Sequence, residues 1–254
     1  MTPRLDDTAA NIAKVCDLSG AAARDGARLI LFPEGCLTGN AFPPVRQPAL
    51  DAVPDSFAPL IETARRGGIV ICAGFVAPFG DRFNVAHAIV LPDGRVLFQR
   101  KAACVNGEPA HLTAWPDPAR AVFTLDGFRV AIAICSEYGL PHVETALATA
   151  RPAVILHPSA GRMTPDELAP HGARSGGFHA QCRRVVELAA AEVKSRGVPK
   201  LSANPIGFDG HTWWPGNSYA VGADGVVLAW IPGENDPARM KPAVSVFDLP
   251  EKPS

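Results

Sequence analysis

The sequence predicts an α/β protein whose short buried strands end at ionisable side chains. Three apolar runs rich in Val, Ile, Leu and Phe are typical of such strands: Ala27–Pro33, Val96–Arg100 and Phe128–Ile134. They lead to a carboxylate, an ammonium and a thiol, respectively: Glu34, Lys101 and Cys135. Ligands of open α/β sheets bind beyond the carboxyl ends of strands, so we expect the three groups to meet in one pocket. Together such groups can deprotonate the thiol, attack a carbon and stabilise an oxyanion.

Helical and strand patterns alternate along the rest of the chain. Apolar periodicity, Asp caps and Gly stops predict four helices: Asp6–Asp25, Asp55–Arg66, Pro141–Ala150 and Phe178–Lys194. Two further buried strands are predicted at Ile69–Phe75 and Ala153–His157. Three Asp-Gly pairs lie between apolar runs and predict hairpins, so the sheets should contain antiparallel pairs: Asp93-Gly94, Asp126-Gly127 and Asp224-Gly225. The polar stretch Gly161–Gly177 is predicted as a loop excursion.

Composition limits the classes of function. The chain has 254 residues, which fit one domain over residues 1–254, and its 47% hydrophobic content provides a sizeable core. A formal net charge of −1 gives no reason to expect nucleic acid or an anionic membrane as a partner. The six cysteines are scattered without a CxxC pair, which argues against a zinc site or a disulfide framework. With a polar N-terminal sequence and no apolar run of membrane-spanning length, we expect a cytoplasmic protein.

Each reactive residue also has an ordinary structural interpretation. A lone Cys135 after an apolar strand is most simply a buried, inert thiol, and a free thiol is mostly protonated at pH 7. Glu34 lies in Pro-Glu-Gly, a sequence that is common in exposed turns. Lys101 follows Gln99 and Arg100, a pattern that is also typical of a basic, solvent-exposed strand end. We prefer the functional interpretation because the carboxylate and the ammonium would supply the base and the cation that the thiol needs.

Several blocks of the sequence resemble the nitrilase superfamily of carbon–nitrogen hydrolases. LILFPEGCLTGN is similar to the family's segment around its catalytic glutamate, and RKAACVNGE to the segment of its catalytic lysine. FTLDGFRVAIAIC resembles the strand before the nucleophilic cysteine, while AVILHPSA and NPIGFDG…WPGNSYAVGADGVVLA resemble two later blocks. The similarity runs from about Pro3 to Asp248. The blocks occur in the same order as in the family, and this shared order is far more specific evidence than any single block.

The resemblance implies a two-sheet αββα sandwich and a thiol hydrolase that cleaves a non-peptide carbon–nitrogen bond of a small amide. By resemblance, Cys135 is the nucleophile and Glu34 the general base. Lys101 is the oxyanion donor, together with the backbone N–H of Ser136. The implied chemistry needs no metal or organic cofactor, and the implied partner is a small-molecule amide or nitrile.

Two further site residues and an assembly follow from the same resemblance. Glu108 would orient the lysine and the substrate, and Ser159 would line the substrate pocket. Members of the family pair through helices, so we expect a homodimer or a higher homo-oligomer. Apolar and small residues in the helices after Cys135 and at Phe178–Lys194 are consistent with such contacts, among them Val143, Leu147, Val185, Val186 and Leu188.

The chain departs from the family pattern at several places. It leaves no room for the family's opening strand before the first helix, and the family's tail is nearly absent after Asp248. An aromatic-Asp pair often follows the cysteine in the family, whereas this chain has Ser136-Glu137. A later Phe-Pro-Glu of the family is Leu140-Pro141-His142 here. These differences concern the identity of the substrate more than the core chemistry.

Three alternatives remain open at this stage. A nitrilase would use the same three residues, and Glu137 two positions after the cysteine is a weak sign in that direction. A non-catalytic paralogue would keep the fold and bind a small ligand or partner. His157 also ends an apolar strand, so a Cys–His hydrolase competes, although a packed histidine before Pro158 fits better. Glu137 itself is either a carboxylate behind the reactive groups or a charge favoured at a helix N-terminus.

Overall fold

The computed structural model describes residues 1–5, 7–40, 47–104, 112–163 and 175–249. The helices in these ranges are α1 Thr8–Arg24, α2 Ala58–Gly67, α3 Pro141–Ala150 and α4 Ser175–Arg196. The strands are β1 Leu29–Leu31, β2 Val70–Phe79, β3 Arg82–Val90, β4 Val96–Arg100, β5 Val122–Leu125, β6 Phe128–Ile132, β7 Val154–Pro158, β8 Lys200–Ala203, β9 Ile206–Phe208, β10 Trp213–Pro215, β11 Ser218–Val221 and β12 Val227–Ile231. Two single turns of 3-10 helix, Pro54–Phe57 and Cys135–Glu137, complete the regular structure of these residues.

The strands form two main sheets. Sheet I has the order β1-β2-β3-β4, with β1 parallel to β2 and the other pairs antiparallel. Sheet II has the order β12-β11-β8-β7-β6-β5, in which only the β6/β7 and β7/β8 pairs are parallel. In sheet I, β1 and β4 therefore run in the same direction, and their carboxyl ends lie at the same edge of the sheet.

Alternating side chains along the strands build an αββα sandwich, as the resemblance implies. In β2, one set of alternate residues, including Ile71 and Phe75, packs against α1 and α2. The other set, including Cys72 and Val76, packs against Ile132 and other residues of sheet II. On the far side of sheet II, α3 packs on β6 and β7 and α4 packs on β11. Four layers with three apolar interfaces result.

The local signals in the sequence produce most of the element boundaries. The side chain of Asp7 caps α1 by accepting a hydrogen bond from the Ala10 N–H at 2.9 Å. The second helix begins later than the predicted Asp55, because a 3-10 turn occupies Pro54–Phe57, and it ends at Gly68 in a left-handed conformation. The predicted stretch Gly161–Gly177 lies largely outside the described residues, although α4 already begins at Ser175.

All three predicted Asp-Gly hairpins are confirmed. The pairs connect β3 to β4, β5 to β6, and β11 to β12, and each connection joins antiparallel neighbours. The glycine has a positive φ in every case, between +82° and +90°. Only glycine adopts such a φ without a steric penalty, and this explains why the local dipeptide was sufficient to predict the turn.

The first element among the described residues is α1, so no strand precedes it there. β1 consequently forms an edge of sheet I, and a cavity of about 390 Å³ lies beside it between the two sheets. The segment 243–249 also lines this cavity and has no regular secondary structure. In the described part of the chain, no helix is both long enough and apolar enough to cross a membrane.

The segment after β1, residues 32–37, crosses the face of sheet I that points towards sheet II, and we call it the crossing segment. The Phe32 N–H donates to the Cys72 carbonyl at 2.9 Å, and the Leu37 N–H donates to the Gly74 carbonyl at 2.9 Å. The crossing passes so close to β2 that a Cβ atom on Gly74 would lie 2.6 Å from the Pro33 O and from the Gly35 N. Glycine at position 74 is therefore a condition for bringing Glu34 from the β1 edge towards the β4 side of the sheet.

We expect Gly74→Ala to destabilise the protein by about 1–3 kcal/mol, because the added methyl group overlaps the crossing backbone. The free energy of unfolding, measured by urea titration, tests this. Gly177→Ala is the matched control, since nothing lies within 4 Å of a Cβ there and φ is ordinary for a helix. Alanine at 177 should stabilise α4 by roughly 0.5–1 kcal/mol. Equal effects of the two substitutions would contradict the close approach at Gly74.

Candidate active site

Glu34 and Lys101 form a buried ion pair where the two sheets meet. The Lys101 Nζ lies 3.0 Å from the Glu34 Oε1, and each side chain is only 1% exposed. The two residues follow β1 and β4, the outer strands of sheet I, and the crossing segment described above closes the distance between them. Two charges buried to this extent are stabilised only as a pair, so each fixes the position of the other.

The main chain of Lys101 is held on both sides. Its N–H donates to the Val85 carbonyl at 2.8 Å. Its carbonyl accepts hydrogen bonds from the Asn84 Nδ2 at 3.1 Å and from the Trp115 N–H at 2.8 Å. The side chain of Lys101 thus starts from a rigid backbone at the end of β4, and its ammonium is held by Glu34.

Cys135 begins a strained 3-10 turn two residues beyond the end of β6, from which Ala133 and Ile134 separate it. Its φ is +49°, a left-handed conformation that is rare for residues other than glycine and costs about 1–3 kcal/mol. The Cys135 carbonyl accepts a hydrogen bond from the His157 Nε2 at 3.0 Å. Burial lowers the pKa of His157 to about 4, so the ring is neutral and Nε2 must carry the proton that it donates. His157 is therefore a packed histidine that anchors the turn.

The thiol of Cys135 contacts the Glu34 carboxylate and is electrostatically coupled to Lys101. Burial, together with the negative charge of Glu34, raises the pKa of Cys135 to about 12, while the positive charge of Lys101 opposes the shift. The backbone of Ala160 also forms a hydrogen bond to the sulfur, which favours the thiolate. A thiol with this pKa is protonated near pH 7, so it needs a base at the moment of attack.

The structure also locates the two serines predicted to bind substrate. Ser136 follows Cys135 in the 3-10 turn, and its buried Oγ has no hydrogen-bond partner among the described residues. Ser159 is 8% exposed, and its carbonyl accepts from the Glu34 N–H at 3.3 Å. Both serines therefore lie next to the predicted reactive groups. Glu108, the fourth predicted catalytic residue, lies outside the described residues.

Glu137 proves to be a carboxylate behind the reactive groups. Its side chain is fully buried and pairs with Arg120, with the Arg120 Nη1 at 2.6 Å from the Glu137 Oε1. The same carboxylate accepts from the Ile134 N–H at 2.7 Å and from the Ala102 N–H at 2.6 Å. These backbone groups adjoin Cys135 and Lys101.

Sequence reasoning missed the buried groups that hold the site from behind. Arg120 lies in a loop with no apolar periodicity, and Asn84 and His87 lie on a strand whose pattern does not mark them as special. The His87 Nε2 is 3.2 Å from the Phe32 carbonyl, in the crossing segment. Burial lowers the pKa of His87 to about 3, so it acts as a neutral donor. Across the described residues, no three His, Cys, Asp or Glu side chains converge as metal ligands would.

Comparison with known proteins identifies the family. A model of the carbon–nitrogen hydrolase family matches residues 1–237, which is most of the chain. The chain belongs to the carbon–nitrogen hydrolase family. The family is one of hydrolases that act on C–N bonds, and the resemblance to the nitrilase superfamily is confirmed. A comparison with curated protein sequences finds no significant match.

Solved structures confirm the fold of this carbon–nitrogen hydrolase. The NitN amidase from Nesterenkonia sp. AN1 superposes with a TM-score of 0.77 at 22% identity, covering 99% of this chain and 91% of that chain. A double mutant of the Nesterenkonia sp. AN1 amidase in complex with acrylamide gives a TM-score of 0.74 at 21% identity, covering 92% and 84%. A further mutant carries the acetamide moiety of fluoroacetamide at its active-site cysteine, with a TM-score of 0.71, 21% identity and the same coverage.

We expect Glu34→Gln to lower the apparent pKa of Cys135. The neutral amide removes the negative charge that raises this pKa, while the Lys101 ammonium still favours the thiolate. The rate of iodoacetamide alkylation against pH, with Cys135 identified by mass spectrometry, should therefore rise at a lower pH than in the wild type. The Cys135→Ala variant gives the background from the other cysteines. An unchanged or higher midpoint would contradict the electrostatic coupling.

Proposed function

We propose that this carbon–nitrogen hydrolase is an amidase that hydrolyses small non-peptide amides through a cysteine acyl-enzyme. The observation that carries the proposal is one buried carboxylate, Glu34, in contact with both the Lys101 ammonium and the Cys135 thiol. A buried base in contact with both a cation and a nucleophile has little structural value, because burying such groups is unfavourable. They are what acyl transfer through a thiol requires.

Acylation begins with proton transfer and attack in one step. Because the pKa of Cys135 is about 12, little thiolate exists beforehand, and Glu34 must take the proton as sulfur approaches the amide carbon. The S–C bond forms and the carbonyl π electrons move to oxygen. The Lys101 ammonium and the backbone N–H of Ser136 stabilise this oxyanion.

Collapse of the adduct releases the amine. The proton now on Glu34 passes to the leaving nitrogen, the C–N bond breaks, and an acyl thioester on Cys135 and ammonia or an amine result. A water molecule then attacks the thioester while Glu34 takes its proton. The S–C bond breaks, the sulfur regains a proton, and the carboxylic acid leaves.

The remaining predicted residues complete the proposed site. Glu108 orients Lys101 and the substrate, in agreement with the family segment that it resembles. The Ser136 Oγ, buried and without a partner among the described residues, is suited to a hydrogen bond with a substrate polar group. Ser159, next to the backbone of Glu34, lines the same pocket.

The Nesterenkonia amidase structures support small amides as the substrate class, since they were obtained in complex with acrylamide and with butyramide. A nitrile would use the same three residues, with a thioimidate in place of the tetrahedral adduct. The sequence feature that pointed to a nitrilase is Glu137. Its carboxylate accepts hydrogen bonds from Arg120 and from two backbone N–H groups. Glu137 therefore does not distinguish nitriles from amides.

Replacing the nucleophile tests the mechanism. We expect Cys135→Ala to abolish ammonia release in a screen of acetamide, propionamide, butyramide, acrylamide, N-carbamoyl amino acids and short nitriles. Cys182→Ala is the matched control, because Cys182 is a buried thiol of α4 outside the site, and Cys104→Ala is a second one. Both controls should retain most of the wild-type activity. Full activity of Cys135→Ala would overturn the mechanism, and a wild type that releases no ammonia from any compound would favour the non-catalytic paralogue.

We also propose that the protein is a homodimer that pairs through α4. Of the helix residues expected at an interface, Val143, Leu147 and Val186 are buried in the chain's own core. Val185 and Leu188 remain 43% and 53% exposed on α4, and together they form an apolar surface. Such a surface is commonly covered across a two-fold axis.

Light scattering at micromolar concentration tests the homodimer. The wild type should have about twice the chain mass of 26.7 kDa or more. We expect the Val185→Glu and Leu188→Glu double variant to be monomeric, because burying two carboxylates at an interface is unfavourable. Val53→Glu is the control, since Val53 is 48% exposed next to the 3-10 turn before α2, in the helix layer on the other side of the sandwich from α4. A wild-type mass near 26.7 kDa would show that the proposal is wrong.

The proposed location is the cytoplasm. The six cysteines, including the partly buried Cys16 and Cys104, all lie in described ranges and form no disulfide there, and a thiol nucleophile must remain reduced. A reducing compartment provides both conditions.

A further inference from the structure

We propose that Glu137 and Arg120 form a positioning pair that sets the distance between the thiol and the ammonium of the site. The inference rests on the proposed function, because it concerns the geometry of the same three reactive groups. Neither residue touches them. Their effect is exerted through the backbone on either side of Cys135 and Lys101.

One carboxylate joins the two segments that carry these groups. Glu137 accepts from the N–H of Ile134, which immediately precedes Cys135, at 2.7 Å. It also accepts from the N–H of Ala102, which immediately follows Lys101, at 2.6 Å. Ile134 follows a strand of sheet II and Ala102 follows a strand of sheet I, so the bonds connect the two sheets at the site.

The Glu137 side chain also closes the cysteine turn on itself. Its own N–H donates to the Ile134 carbonyl at 3.2 Å, while its side chain accepts from the Ile134 N–H. Cys135 lies inside this loop of bonds with its positive φ. A strained conformation persists only where its surroundings determine it, and the carboxylate supplies that restraint from one side while His157 supplies it from the other.

Arg120 fixes the carboxylate in turn. Its Nη1 donates to the Glu137 Oε1 at 2.6 Å, and its Nε donates to the Pro118 carbonyl at 2.6 Å. The next residue, Ala121, donates its N–H to the Gln99 Oε1 of β4 at 2.8 Å. Arg120 is therefore attached to the strand that ends at Lys101. A fully buried charge pair with these contacts behaves as a rigid strut between the sheets.

A small displacement between the thiol and the ammonium affects the transition state more than substrate binding. The oxyanion forms only after attack, so the position of Lys101 relative to Cys135 matters mainly in that state. Misplacement by about 1 Å can reduce the rate by about 100-fold. Loss of the strut should therefore lower kcat and leave KM nearly unchanged.

Two variants that conserve different properties test the strut. Glu137→Asp keeps the charge and the pairing with Arg120, but its shorter side chain cannot reach all three donors. The Glu137→Gln and Arg120→Met double variant removes both charges together and avoids an unpaired buried charge. For both, we expect kcat for butyramide to fall by at least about 10-fold and KM to change by less than about 3-fold. Arg120→Lys, which keeps a cation at the carboxylate, should recover a larger share of kcat than the double variant.

Asp209→Asn provides the control for a merely structural effect. Asp209 is also a buried carboxylate with three N–H donors, from His211, Thr212 and the Trp214 indole, but it does not contact either reactive segment. We expect Asp209→Asn to lower the melting temperature while kcat of the folded protein stays within about 2-fold of the wild type. Wild-type kcat in Glu137→Asp, or an equal kcat loss in Asp209→Asn, would overturn the proposal.

Alkylation of Cys135 separates this inference from the proposed function. In the Glu137 variants, Lys101 stabilises the thiolate less well, so iodoacetamide should react with Cys135 at least about 3-fold more slowly at pH 8 than in the wild type. This measurement needs no turnover. An unchanged alkylation rate would overturn the positioning role, whereas failure of the wild type to hydrolyse butyramide or any other compound of the screen would count against the amidase function alone.

Discussion

The buried ion pair between Glu34 and Lys101 is the interaction on which the rest of the site depends. Two charges with 1% exposure are tolerable only if each has its partner and if neither can move away. The fold meets this condition from both directions. On one side a backbone segment crosses Gly74 and is held by His87; on the other, Asn84 and neighbouring backbone groups fix the end of β4. Much of the polar structure inside the sandwich serves to hold this one contact.

The elements were predictable from the sequence because their causes are local. An Asp-Gly pair determines its own turn through the positive φ of glycine, and an apolar run followed by a reactive residue marks the end of a buried strand. The resemblance added the order of the layers. What the sequence did not reveal depends on distant pairs. Nothing near Glu34 indicates that its route requires a glycine forty residues later, and nothing near Arg120 indicates a carboxylate at Glu137.

The site combines rigid supports with one strained residue. Cys135 has a left-handed backbone at the end of an otherwise regular strand, and its carbonyl and its turn are both hydrogen-bonded. If β6 continued with regular geometry as far as Cys135, the thiol would point to one face of the sheet or the other. The strained turn instead directs the thiol towards a carboxylate that comes from the opposite sheet. The unfavourable free energy of the left-handed backbone at Cys135 is offset by contacts that only this conformation allows.

The protonation state of Cys135 has a consequence for the lifetime of the protein. Peroxides and similar oxidants react with thiolates, and oxidation beyond the sulfenic acid is irreversible for most proteins. A cysteine that waits as a thiol, with a pKa near 12, presents little thiolate to such oxidants between turnovers. Many enzymes keep a ready thiolate and accept the risk of overoxidation. Under the proposed mechanism the thiolate arises only when a substrate carbonyl is in place, so we expect resting molecules to keep Cys135 as an unoxidised thiol during episodes of oxidative stress.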